Sequence, residues 1–159
     1  MFVHAGVLPV LSDHINKGGK NSDKLKYINM VVRKWLLNNL SNLNIMDKST
    51  ILDDDKLSPF WTRIYGSIPI GTDINSDQCS EFVKKALDIY KIGRMIVGHT
   101  PQFSKHNIGI NGTCYNNGDK KLYRVDGGFS KAFNMFGNPK KIEVLEIIND
   151  NEFNIISSD

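Results

Sequence analysis

The sequence predicts an α/β fold in one domain, and three observations carry that prediction. Two short apolar runs, Phe2-Val3 and Met95-Ile96-Val97, each lead into a histidine, His4 and His99. A stretch of helical periodicity over 76–90 feeds the second run, which is the order of an αβ unit. The last third alternates apolar and polar residues between Asn- and Gly-rich turns, the pattern of antiparallel strands.

Taken in order, Phe2-Val3-His4-Ala5-Gly6 reads as a strand end followed by a histidine and small residues. Met1 leads straight into it, so the strand's neighbours come later in the chain or are missing, and missing neighbours are the expectation. The apolar faces of Val3, Ile96 and Val97 are then expected to lie partly open. Val7 to Leu11 is a loop with apolar anchors, and Gly18-Gly19 marks an exposed turn. Ser22 or Asp23 can cap a helix from about Lys24 to Asn44. Leu25, Ile28, Val32, Trp35, Leu36 and Leu43 fall on one side of it as a packing face.

Ser49 to Asp55 reads as a polar connection. Asp53-Asp54-Asp55 suits a solvated acidic turn better than a metal site, because no third ligand type sits at a useful spacing. In Ser58-Pro59-Phe60-Trp61-Thr62-Arg63, aromatics flank one arginine. Arg63 can fork onto a phosphate or stack on Trp61 or Phe60 for packing. Pro69 to Asn75 is a linker. Ser76 is a plausible N-cap for the helix to Tyr90, with Cys79, Phe82, Val83, Ala86, Leu87 and Tyr90 on its buried face and Gly93 closing it. His99 then sits at the mouth of an apolar strand, where open α/β sheets place ligands. Pro101 stops a helix from starting there. Such a histidine suits metal ligation or the capping of a strand end. Because Phe2–Gly6 has the same build, one site fed by two parallel strands is expected. Asn117-Gly118 is a hairpin turn signal before a strand at 121–126. A further hairpin follows, with strands over 141–148 and 152–156 about the turn Asn149-Asp150-Asn151.

The composition excludes some classes. A net charge of +3, with basic residues clustered no further than Lys-Lys pairs, gives no case for nucleic acid. No run approaches the roughly 18 apolar residues a membrane span needs. Cys79 and Cys114 make no disulfide framework and read as free thiols in a reducing compartment. With no signal peptide ahead of Phe2, the expected location is cytoplasmic.

Four motifs stand in order: His4-Ala5-Gly6, Ser58 to Arg63, Val97-Gly98-His99-Thr100-Pro101-Gln102, and Arg124-Val125-Asp126-Gly127-Gly128-Phe129-Ser130, with Gly109-Ile110-Asn111 and Cys114 between the last two. Together they resemble the C-terminal half of a calcineurin-like metallophosphoesterase. The Shewanella-like members of the phosphoprotein phosphatases are the nearest in pattern, and the resemblance covers nearly the whole chain. It implies a β-sandwich flanked by helices, of which only the C-terminal half is here. It implies a dinuclear centre of Mn, Fe or Zn, with His4 and His99 as ligands of the second metal. Arg63 is implied as the phosphate clamp, and Asp126 lies at the site edge without being a ligand. The substrate would be a phosphorylated protein or a small phosphate ester.

The family's upstream Asp-x-His, Gly-Asp-x-x-Asp-Arg-Gly and Gly-Asn-His-Glu motifs are not in these 159 residues. The expectation is therefore a phosphatase fragment, inactive alone, with a complementing N-terminal half as a partner. The alternatives are a dinucleoside polyphosphate hydrolase, which shares the histidine motifs, and a non-catalytic remnant that binds partners.

Overall fold

The computed structural model describes residues 1–15, 21–104, 107–130, 132–133 and 142–158. The expected turn at Gly18-Gly19 and the start of the strand at Lys141 lie outside the described residues. The chain is mixed α/β. Its elements run β1 (Phe2–Val3), α1 (Leu11–His14), α2 (Asn21–Leu36), α3 (Ile45–Leu52), α4 (Ile64–Ser67), a π-helical turn Cys79–Lys84 continuing as α5 (Lys85–Tyr90), and β2 (Met95–Val97). There follow β3 (Phe103–Ser104), β4 (Asn107–Ile108), β5 (Asn111–Asn116), β6 (Asp119–Arg124), β7 (Glu143–Ile148) and β8 (Glu152–Ser157).

The main sheet has strand order β1-β2-β6-β5; β3-β4 and β7-β8 are separate two-stranded pairs. β1 runs parallel to β2, with Phe2 opposite Ile96 and Val3 opposite Val97. β2 runs parallel to β6, and β6 antiparallel to β5. The two parallel strands that end in His4 and His99 are therefore direct neighbours, as the sequence leads one to expect. β2 is buried at all three residues, as its apolar run requires of a strand covered on both faces. Val3 is half-buried, as expected, but Ile96 is 5% exposed and Val97 1%, so the expected opening is not found at those two; Phe2, at 73%, stands open.

The long helix is shorter than its apolar spacing implies. It stops at Leu36, where Asn38 takes a left-handed φ of 52° and the bonds Asn38 N–H to Trp35 C=O and Asn39 N–H to Lys34 C=O close the end. This is the double bond of a Schellman cap, with asparagine in the place glycine usually takes. Ile28 and Val31 form its buried seam, while Trp35 and Leu36 are exposed. A separate helix α3 follows, where the sequence suggested a connection. Asn44 caps it, accepting from the Met46 and Asp47 amides at 2.9 and 3.1 Å. The Asp53–Asp55 turn is the expected acidic one: Asp54 Oδ1 accepts from the Lys56 and Leu57 amides. Those bonds hold the Asp54 pKa below the usual carboxylate range.

Ser76 caps the π-helical turn as expected, its hydroxyl accepting from the Cys79 amide at 3.3 Å. Lys91, with φ 55°, ends α5 in place of Gly93. Asn117 and Gly118, both at positive φ, make the two-residue β5–β6 turn in the type I′ pattern. Asn149 and Asp150, also at positive φ, lie in the three-residue β7–β8 loop Asn149-Asp150-Asn151.

Cys79 and Cys114 are not free thiols. They form a disulfide with Cα atoms 5.6 Å apart, tying the π-helical turn to β5. Two cysteines 35 residues apart give no sequence sign of adjacency. The αβ unit and the β5–β6 hairpin bring them together in the core, where both are fully buried. The pairing removes the thiol argument for a reducing compartment. Among the described residues, no helix is long and apolar enough to cross a membrane.

Candidate functional site

The site is built at the C-terminal ends of β1 and β2. The Gly98 amide donates to the His4 carbonyl at 2.8 Å, so the parallel pairing runs into the histidines themselves. The chain then turns on His99, not on Gly98. His99 has φ 65°, and Thr100 N–H reaches back to Gly98 C=O at 2.7 Å. A three-residue turn about a positive φ is the rarer, strained kind of γ-turn, and a non-glycine residue in that region marks a candidate functional position. On the other strand Gly6 is obligatory. Its φ is 130°, and a Cβ there would lie 2.0 Å from the ring of Tyr65.

The two imidazoles meet. His4 Nε2 lies 3.1 Å from His99 Nδ1, with ring centroids 4.9 Å apart. Trp61 stands edge-on to His99 at 5.8 Å, and its indole N–H is fixed by the Leu52 carbonyl at 2.8 Å. Phe60 flanks His4 at 6.4 Å. His99 Nε2 is buried with no hydrogen-bond partner. Burial holds the His99 pKa below the ordinary histidine value, and the nearby Arg63 guanidinium and His4 push the same way. A Trp61 backbone group and the Asp126 carboxylate pull against them.

Two clefts open beside the pair and share Asp55 and Trp61. One, of about 790 Å³, is lined by His99, Arg63, Thr62, Lys56 and Phe82 among others. The other, of about 630 Å³, is lined by His4, Trp35, Phe60 and Asp53 among others. Arg63 therefore faces the same pocket as His99. The stacking alternative for Arg63 is not realised: among the described residues its exposed side chain makes no ion pair, hydrogen bond or ring contact. Asp126 sits at the edge, accepting from the Gly128 amide at 3.2 Å. Among the described residues, no group of three or more His, Cys, Asp or Glu is placed to hold a metal.

The pair nonetheless fits one edge of a metal's shell. Metal–imidazole bonds run about 2.0–2.1 Å. A cation on both nitrogens across the 3.1 Å gap would subtend an angle of about 98°, between the right angle of an octahedron and the tetrahedral angle. A lowered His99 pKa keeps the ring neutral at neutral pH, the form that ligates.

The chain is similar to an uncharacterized protein of Acanthamoeba polyphaga mimivirus. The two are 55% identical over 161 residues, which is 99% of this chain and 64% of that protein. The chain thus spans less than two thirds of that relative's length. No family model matches it, and no solved structure matches it.

Behind the site lie residues that the sequence motifs include without assigning them a role. Arg124, Asn111 and Gln102 form a buried polar network beneath the His99 loop. One signal existed: Arg124 shares the face of β6 that buries Leu122, a charged residue at a core-facing position.

Proposed function

We propose that this chain carries the phosphate-binding and second-metal part of a calcineurin-like phosphoesterase, acting on phosphate monoesters such as phosphorylated protein. The observation that carries the reading is the His4–His99 contact of 3.1 Å at neighbouring strand ends, beside an unengaged Arg63. His4 Nε2 and His99 Nδ1 would hold one divalent cation of Mn, Fe or Zn. A bound pair of such ions supplies a water acidic enough to attack at neutral pH and offsets phosphoryl charge. Arg63 presents two parallel N–H donors to phosphoryl oxygens. Burial and the Arg63 charge keep His99 neutral, so it offers a lone pair without first losing a proton. Trp61 and Phe60 flank the pair.

Two imidazoles leave most of a cation's positions to water, and nothing described here bridges a second ion. That favours a non-catalytic role for the chain by itself, with the remaining ligands supplied by another segment. A dinucleoside polyphosphate substrate would use the same histidines. The test is hydrolysis of p-nitrophenyl phosphate with manganese. The expected result is no metal-dependent turnover by the chain alone. Turnover should appear on co-expression with the part of the mimivirus relative outside the match, and disappear in His99→Ala. Turnover that survives His99→Ala, or that needs no metal, would overturn the proposal.

A further inference from the structure

Among the described residues, Arg124 is the largest side chain that the fold buries completely, with 1% of its surface exposed. Among the described residues no carboxylate pairs with it, and its Nη2 has no hydrogen-bond partner. Burial lowers its pKa to about 10, so it remains charged at neutral pH. Burying an unpaired cation is expensive; an apolar residue would fill the space at less cost. The fork must therefore hold something that an apolar side chain cannot.

Its bonds show what it holds. Nε donates to Asn111 Oδ1 at 2.6 Å. Nη1 donates to the carbonyls of Gly66, at 3.3 Å, and of Ile68. Gly66 lies in α4, the short helix that Arg63 heads, and Ile68 follows it. Asn111 extends the link, its Nδ2 donating to Gln102 Oε1 at 3.3 Å. Gln102 Nε2 in turn donates to Thr100 C=O at 2.8 Å and Gly66 C=O at 3.1 Å. Gly66 and Thr100 are pressed together so closely that a Cβ on Gly66 would lie 2.2 Å from Thr100 Cβ.

We propose that Arg124 is a positioning residue, whose buried guanidinium holds the Arg63 segment and the His99 loop to β6 as one unit. What that unit binds rests on the phosphoesterase reading; the coupling itself does not. Lysine keeps the charge but has one nitrogen where the fork has three, so it cannot hold both carbonyls and Asn111 together.

Native-state hydrogen exchange on the metal-free chain tests the coupling. The Ser67, Gln102 and Val125 amides donate to Arg63, Asp126 and Val97 carbonyls respectively. They are expected to open with one common free energy. In Arg124→Lys, Ser67 and Gln102 should exchange about tenfold or more faster than Val125, as loss of charge-assisted bonds implies. A cobalt titration reads the consequence: Arg124→Lys, folded by circular dichroism, should bind cobalt about tenfold more weakly than the parent. Independent openings of Ser67 and Gln102 in the parent, or an Arg124→Lys variant that leaves exchange unchanged, would overturn the proposal. Should Arg124→Lys not fold, the parent exchange data decide alone. A parent chain that binds no cobalt sinks the metal reading and leaves the exchange result to judge Arg124.

Discussion

Reducing the Cys79–Cys114 bond should cost the fold a large part of its stability. The bridge joins residues 35 apart in sequence, and the loop it closes carries α5, β2 and His99. For a loop of that length the chain-entropy relation gives about 13 cal/mol/K, or about 3.8 kcal/mol at 25 °C. Typical domains hold only about 5–15 kcal/mol in total. At this chain length each kcal/mol moves the midpoint by about 2–4 °C, so reduction should lower it by about 8–15 °C. The assay is thermal unfolding followed by circular dichroism, with and without a phosphine reductant. A thiol count on the native protein accompanies it. No reactive thiol is expected before reduction, because both sulfurs lie in the core. A midpoint that does not move, or titratable thiols in the unreduced fold, would refute the reasoning.

Three further outcomes are expected. Tyr27 donates to Asp47 Oδ2 at 2.7 Å, joining α2 to α3, and Asp47 is 1% exposed. Tyr27→Phe should therefore cost about 1–3 kcal/mol, read as a lower denaturant midpoint at unchanged slope. Gly6→Ala meets both a forbidden φ and the Tyr65 ring, and should cost at least about 2 kcal/mol in the same assay. The pH dependence follows from His99, whose folded pKa lies below its unfolded 6.5. Between those values the unfolded chain binds more protons, so stability is full above the unfolded value and falls as pH drops toward the folded one. His99→Gln should flatten that slope in denaturant unfolding measured between pH 7 and pH 5.

The strand-end histidines were legible because their signals are local. Three consecutive apolar residues before Gly98 and His99 leave little but a buried strand, and the matching run at Phe2 points to a parallel partner. The two hairpin turns were legible for the same reason, since Asn-Gly and Asn-Asp pairs suit a positive-φ turn. The end of α2 was not, because the cap falls on Asn38 while the apolar spacing runs on to Leu43. The strained turn at His99 was not legible, since a positive φ normally falls on glycine and Gly98 stands beside it. The disulfide and the Arg124 network depend on contacts between distant segments. Neither a 35-residue cysteine spacing nor a lone arginine in a strand announces its partner. Arg63 was visible as a candidate in the sequence, but its freedom from Trp61 and Phe60 is a tertiary fact.

The most direct test of the central claim is an anomalous-difference map from a crystal of this chain soaked in zinc. One peak is expected about 2.0–2.1 Å from both His4 Nε2 and His99 Nδ1, absent from His4→Ala and His99→Ala crystals. A map with no peak between the rings, or with zinc on one ring alone, would contradict it.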